Sequence, residues 1–295
     1  MLTLNRLREW AVQAGFDDFG VARAKRLDTD AEYLKRWLEA GNQGSMHYLA
    51  DNFEKRVNPK VLVPKAKSVL VCLLNYYVVD KQPANAPYIA KSGLAKTDYH
   101  IVMKEKLLQL EELIARQEGS ACFSATHQHL FCDSAPILER RWAQKAGLGW
   151  IGRNKQFLHP KMGSFVHIGI LIANEETDSY SRPYEQDGCG ECRLCIKHCP
   201  TGALRADMFD AGKCVSYLTI ERREPLEEKY RHLLEDNLYG CDVCAMVCPY
   251  NANLQVTSHE GLAADKTLLE MTRQDWEQTS RRQRIKLLHR LAREN

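Results

Sequence analysis

Eight of the eleven cysteines in this chain stand at spacings that can hold iron. Cys189, Cys192, Cys195 and Cys199, followed by Pro200, read C-x2-C-x2-C-x3-C-P. In such a run three thiolates close on one four-iron cluster while the fourth reaches a second cluster. A later group, Cys241, Cys244 and Cys248 followed by Pro249, reads C-x2-C-x3-C-P. It returns Cys248 to the first cluster and offers Cys241 and Cys244 to the second. Cys214, between the groups, completes the count. The expected sets are Cys189, Cys192, Cys195 and Cys248 on one 4Fe-4S cluster, and Cys199, Cys214, Cys241 and Cys244 on the other. Disulfides and structural zinc are the alternatives. An odd cysteine total, a start without a secretory pattern and C-x2-C spacing argue against a disulfide framework. Zinc leaves the paired C-P endings unexplained.

The other candidates are weaker on spacing alone. Cys72, Cys122 and Cys132 read as small buried hydrophobes in the core. Gly147, Gly149 and Gly152 spell G-x-G-x-x-G, but a dinucleotide site needs a strand before the glycines and a helix after them. Here a helical pattern precedes them and a loop with Pro160 and Gly163 follows, so they serve close backbone approach. Asp133 precedes Ser134, Ala135 and Pro136 at a helix start, where a carboxylate has an ordinary structural use. Arg56 reads as a solvated arginine and Tyr239 as a packing aromatic. His127 and His129 alternate as on a strand face, and two histidines without a third ligand are read as structural.

The elements that must position these residues follow from the hydrophobic pattern. Of the 295 residues, 44% are hydrophobic and 27% charged, the proportions of a globular domain, and no apolar run approaches the ~20 residues of a membrane span. The first residues lead into a helix with Leu4, Leu7, Trp10, Ala11 and Ala14 on one face, not a signal sequence, which makes the cytoplasm the expected location. Ser68 to Leu74 and Phe165 to Ile172 are short continuous apolar runs, expected as buried strands. Helices are expected over Val102 to Ile114 and Pro136 to Ala146, the latter with proline in its first turn. The polar stretch Asn174 to Gly188 reads as a connection. The expected architecture is an α/β (α+β) domain over 1–175, a bacterial-ferredoxin-like two-cluster domain over 176–255 and a helical basic tail over 256–295. Net charge is +3, with Arg281, Arg282, Arg284, Lys286, Arg290 and Arg293 crowded at the end. Ile285, Leu288 and Leu291 recur there at helical spacing, so the tail is either a polyanion contact or a docking helix with a solvated basic face.

Four strings occur in order: FCDSAPILERRWAQKAGLGWIGRN from Phe131, CGECRLCIKHCPTGAL from Cys189, CVSYLTIE from Cys214 and LYGCDVCAMVCPYN from Leu238. Together they closely resemble the epoxyqueuosine reductase family, over a stretch from EKRVNPK at Glu54 to Asn251. The resemblance implies a cobalamin-dependent oxidoreductase that removes the epoxide oxygen of epoxyqueuosine in a tRNA anticodon loop, the last step of queuosine synthesis. It implies base-off cobalamin held jointly by the α/β and ferredoxin-like parts, with electrons delivered through two 4Fe-4S clusters. An epoxide has a poor leaving group, so a strong cobalt nucleophile works with an acid that protonates the departing oxygen. The family position of that acid matches Asp133, whose carboxyl is expected to be raised by burial against corrin and substrate. Arg56, Asn154, Phe157, Ile168, Ser216, Asp242 and Val243, with Asp133, fall in matching segments that line the corrinoid.

The implied partners are tRNA carrying epoxyqueuosine and a cellular electron donor, with no membrane and a monomeric chain. Arg140, Arg141, Arg153, Lys155, Arg222, Arg223 and the basic tail are the expected phosphate contacts. The chain departs from related sequences before Asp98, where Lys91 to Lys96 (KSGLAK) replace a Tyr-Ala-x-Gly string. It also ends about 45 residues after Cys248, too short for the helical repeat stack of longer relatives. A reductive dehalogenase acting on small halogenated molecules, or a plain ferredoxin-type carrier that binds no corrinoid, are the alternative functions.

Overall fold

In the computed structural model, residues 2–118, 122–123, 129–234, 237–280 and 282–283 are described. The two long apolar runs form its centre. Strand β1 (Asp18–Arg23) pairs with β2 (Ser68–Asn75), β2 with β4 (Val166–Ala173), and β4 with the short β3 (Leu130–Phe131), every pair antiparallel. Every residue of β2 and β4 is buried, because both faces of the sheet are covered. The fold is a mixed α/β one built on an antiparallel sheet.

Alternation along the strands divides the core. Leu70, Cys72 and Leu74 of β2 and Leu171 and Ala173 of β4 point to one side. There they meet Leu7, Trp10 and Ala11 of helix α1 (Leu4–Gln13) and Met103, Leu107 and Leu110 of α2 (Tyr99–Glu118). Val69, Val71, Leu73, Ile170 and Ile172 point the other way, onto Trp142 and Ala143 of α3 (Glu139–Lys145). Gly169 permits the α2 contact: a Cβ there would run into the Met103 sulfur. Cys72, Cys122 and Cys132 are buried, as expected of them. His129 is also buried, with Nε2 3.1 Å from the Glu111 carboxylate; His127 lies outside the described residues.

Two expectations shift. Helix α3 starts at Glu139, not at Pro136, because Glu139 turns back to accept a hydrogen bond from the Asp133 N–H and holds the intervening residues as a loop. Arg56 is not solvated: it is 9% exposed, and its guanidinium donates to the carbonyls of Leu49 and Tyr48. The glycine motif does follow a helix, as expected. Gly147, at φ +78°, ends α3, and Trp150–Ile151 then pairs with Phe157–Leu158 as a small hairpin.

The cysteine segment contributes short helices at Leu194–Lys197, Val215–Ile220 and Val243–Met246. It is sewn to the sheet side at several points. Trp37 Nε1 donates to the Phe209 carbonyl (2.6 Å), and the Tyr217 hydroxyl accepts from the Ser45 N–H (2.8 Å). The buried Asn251 side chain accepts from Ser164 N–H (2.9 Å) and donates to Ser164 Oγ and the Ala245 carbonyl (2.8 Å each). Gly163 makes room for that amide, since a Cβ would collide with Asn251 Oδ1. After the cysteines the chain returns to the first half: Leu268, Met271 and Trp276 pack with Ile89, Leu94 and Tyr239. Of the basic tail, Arg281, Arg284, Lys286, Arg290 and Arg293, with Ile285, Leu288 and Leu291, lie outside the described residues. Among the described residues no helix is long and apolar enough to cross a membrane.

The Asn251 seam is testable. Asn251→Ala leaves two Ser164 groups and a carbonyl unpaired in the interior, and is expected to lower unfolding free energy by about 2–4 kcal/mol. Urea denaturation measures it; a loss below about 0.5 kcal/mol would show that the seam does not depend on this amide.

Candidate active site

The eight motif cysteines are all half-buried, and none is in a disulfide. Their electrostatic neighbours sort them into two fours. Cys195 and Cys248 are pushed up by burial, with the thiols of Cys189 and Cys192 adding to both and Cys195 adding to Cys248. Cys214 is raised by burial with Cys199 beside it, and burial raises Cys241 to about 11 with Cys214 and Cys199 adding to it. Cys244 is pushed up further by burial, with Cys241 and Cys214 near it, and Cys195 of the other four also within reach. A thiol raised by burial resists ionisation alone, whereas coordination to iron deprotonates a thiol outright. Among the described residues no three His, Cys, Asp or Glu side chains stand close enough for a single ion. The Cys189 four instead ring a cavity of about 40 Å³ with Leu158, Leu194 and Tyr250 in its wall. The donor set fits two clusters.

A larger cavity of about 310 Å³ opens between the sheet and the other four. Cys241, Asp242 and Cys244 form one wall with Ser216. Phe157, Ile168 and His167 form the sheet wall, and Asp133, Glu139 and Arg140 a third. Five expected corrinoid contacts therefore meet here: Asp133, Phe157, Ile168, Ser216 and Asp242. The other three sit behind the walls. Asn154 is buried against the Cys189 four, its amide donating to the Cys244 carbonyl at 3.5 Å. Val243 lies between Asp242 and Cys244 and opens its short helix. Arg56 lies beneath Tyr48, which in turn senses Asp133 and Glu221.

Asp133 has a left-handed backbone, φ +50°, a conformation aspartate tolerates better than most residues. Its N–H donates to Glu139 Oε1 at 2.6 Å, and its Oδ2 accepts from the Tyr99 hydroxyl at 2.8 Å. Tyr99 is fixed by stacking: its ring lies 4.0 Å from those of His100 and His167, and His167 stacks on Tyr76 at 4.2 Å. Asp133 itself is exposed, so the burial expected of it has to come from a bound ligand. Asp242 is raised by burial, against which Lys91 N–H (2.7 Å) and the Tyr88 hydroxyl (2.9 Å) hold its carboxylate. That bond anchors the departing string Lys91 to Lys96 to the cysteine segment.

Glu139 carries the most perturbed carboxyl in the cavity. Burial raises it to about 8, with Asp133 adding to the rise and the Asp133 N–H and Arg140 opposing it. Spacing gave no role to Glu139, Tyr99 or His167. Glu139 was hidden in a helical pattern, Tyr99 lay just before one, and the signal for His167 was a lone histidine inside an apolar strand. Of the expected phosphate contacts, Arg141 is paired with Asp30 (2.8 Å), Arg153 with Asp187 (3.6 Å) and Arg222 with Glu227 (3.9 Å). Arg140, bonded to the Lys155 carbonyl at 3.0 Å, remains at the cavity.

Comparison with known proteins places this geometry. Residues 188–251 match a 4Fe-4S double cluster binding domain, and residues 56–134 match the family described as epoxyqueuosine reductase QueG, DUF1730. The chain is 39% identical over 274 residues to an epoxyqueuosine reductase of Leadbetterella byssophila, covering 92% of this chain and 87% of the relative. It is 34% identical over 275 residues to one of Escherichia coli, covering 89% and 69%. Among solved structures it resembles an epoxyqueuosine reductase with an epoxyqueuosine-modified tRNA-Tyr stem loop, at TM-score 0.81 and 28% identity, covering 97% of this chain and 75% of that one. It also resembles one from Bacillus subtilis whose catalytic aspartate loop is swung out of the active site, at TM-score 0.79, 28% identity and the same coverage.

The raised Glu139 predicts a pH effect on stability. The folded chain keeps this proton up to about pH 8, whereas an unfolded glutamate releases it near its ordinary value, so stability falls as pH rises between the two. Glu139→Gln keeps an acceptor for the Asp133 N–H and removes the slope. Melting followed at pH 5, 7 and 9 is expected to show the variant gaining on the natural chain with pH; a constant difference would contradict the assignment.

Proposed function

The chain belongs to the epoxyqueuosine reductase family, and on that premise we propose that it reduces the epoxide of epoxyqueuosine in a tRNA anticodon loop, giving queuosine. The observation that supports this most is one cavity walled by Cys241, Cys244 and Ser216 on one side and Asp133 on the other. Such a cavity sets a redox centre and an acid against the same bound molecule. Two 4Fe-4S clusters and cobalamin are the cofactors. Cobalamin supplies a cobalt-centred nucleophile when reduced, and the clusters supply electrons singly.

The residues have distinct tasks. Cys189, Cys192, Cys195 and Cys248 hold one cluster, and Cys199, Cys214, Cys241 and Cys244 the other. Phe157 and Ile168 offer an apolar bed from the sheet, and Ser216, Asp242 and Val243 border the same space from the cysteine segment. Arg56 and Asn154 support those walls from behind. The cobalamin is held base-off, as the family resemblance implies. Asp133 protonates the departing epoxide oxygen once substrate covers it, since enclosure in a low-dielectric site raises a carboxyl. Tyr99 orients that carboxyl through its hydroxyl. The reacting base sits in a single-stranded loop, so it enters without breaking a duplex. Arg140 at the cavity mouth and the basic residues around it meet the phosphates.

In this arrangement residues 1–175 provide the sheet wall, 176–255 the redox wall, and 256–295 a helical tail. The chain acts as a monomer in the cytoplasm, where its tRNA is, and takes electrons from a cellular donor.

The test is anaerobic turnover of epoxyqueuosine-containing tRNA by the reconstituted protein, with the nucleosides read by mass spectrometry. Cobalamin-dependent loss of one oxygen is expected, and Asp133→Asn should cut the rate about 10²–10⁴-fold while retaining both cofactors. No turnover by the natural chain would overturn the function. A fully active variant would remove the role of Asp133. Cys248→Ser should lose about half of the iron, leaving the other cluster detectable by electron paramagnetic resonance; unchanged iron would contradict the ligand sets.

A further inference from the structure

Removing an epoxide oxygen breaks two carbon-oxygen bonds, forms a carbon-carbon double bond and releases water. The balance requires two electrons and two protons. The electrons come from the clusters, charged by an external one-electron donor. One carboxyl delivers one proton, which leaves the second without a source in the scheme built on Asp133 alone. This inference rests on the proposed function and deepens it.

We propose that Glu139 supplies the second proton by reloading Asp133 after Asp133 has protonated the opened epoxide oxygen. The oxygen then leaves as water when Asp133 gives up the proton received from Glu139, and both carboxyls regain their protons from solvent once the product has left. Glu139 acts through Asp133 and is a relay and positioning residue.

Three observations support the assignment. Glu139 Oε1 already accepts the Asp133 N–H at 2.6 Å, so its carboxyl is tied to the residue it would recharge. Both residues line the same cavity, so the two side chains border one space. The surroundings also keep Glu139 protonated up to about pH 8, so a proton is stored beside Asp133 at neutral pH, and transfer becomes favourable once bound substrate encloses Asp133 and raises its carboxyl toward that of Glu139. The groups around the pair are Cys132 on the loop, Tyr99 on α2, His167 on β4 and Arg140 on α3. Cys241, Asp242 and Cys244 face them from the opposite wall. Glu221, which Asp133 also pushes up after burial, stands exposed beyond Asp133. Tyr99 is the other group bonded to Asp133, and its hydroxyl donates to the carboxylate.

The same bond gives the loop its position. Asp133 is held in a left-handed turn whose N–H has Glu139 as partner, so one side chain both fixes the acid and refills it. A Gln at 139 keeps the first task and loses the second, which separates the relay from a merely structural role.

The experiment compares the natural protein, Glu139→Gln, Glu139→Asp and Asp133→Asn, each carrying its clusters and cobalamin. Without tRNA, pH-difference infrared spectra are expected to show a protonated-carboxyl band lost near pH 8 in the natural protein, at lower pH in Asp133→Asn, and missing in Glu139→Gln. With tRNA, the natural protein's turnover is expected to fall as pH rises through about 8. Glu139→Gln should be about 10–100-fold slower at pH 7 with that limb abolished, and Glu139→Asp should restore part of the rate. A Gln variant that keeps the band, or keeps the natural rate and limb, overturns the relay while leaving the function intact. A natural protein that never converts the tRNA overturns the function and the relay together.

Discussion

Every property of the cavity depends on the seam that fixes the cysteine segment to the sheet. At its centre the Asn251 amide spends its oxygen on the Ser164 N–H and its nitrogen on Ser164 Oγ and the Ala245 carbonyl, all in the interior. Ser164 lies just before β4, whose Val166, His167 and Ile168 face the cavity, and Ala245 follows Cys244 on the opposite wall. A single buried side chain thus sets the spacing between the redox wall and the sheet wall. Asp242 does the same from the other end, gripping Lys91 N–H and the Tyr88 hydroxyl. Because a buried amide loses its whole hydrogen-bonding set if it moves, such a seam is stiff.

Within that frame the two sides of the cavity face opposite electrostatic problems. The thiols on the redox side are kept neutral by burial and by one another, a penalty that iron reverses. On the acid side, Asp133 and Glu139 line the same cavity, and burial with the Asp133 charge beside it raises Glu139. Glu139 takes the enclosed position and Asp133 the exposed one. The polarity of the proposed function follows from this division: in it electrons would arrive from the wall of Cys241 and Cys244 and protons from that of Asp133 and Glu139.

The cysteine pattern was legible because coordination chemistry dictates spacing along the chain, and residues 188–251 match a 4Fe-4S double cluster binding domain. The strands at Ser68 and Val166 were legible for a similar reason, since only a sheet covered on both faces buries eight successive residues. Antiparallel pairing was not, because a continuous apolar run says nothing of strand direction. Arg56 was misread as solvated, as nothing local announces that the Leu49 and Tyr48 carbonyls enclose a guanidinium. Asp133 came from the family resemblance, and Glu139 escaped because its role depends on a backward turn to Asp133 that displaces the start of α3. Contacts made by folding back on a neighbouring loop leave no periodic trace.

The central claim is that one cavity holds the corrinoid against both the Cys241 wall and Asp133. Electron paramagnetic resonance of cob(II)alamin added anaerobically to the reconstituted protein tests it most directly. The account predicts a base-off cobalt spectrum that broadens when the clusters are reduced, and that reverts toward free cobalamin when Ser216→Trp blocks the wall. A spectrum identical to free, base-on cobalamin, insensitive to cluster reduction, would contradict it.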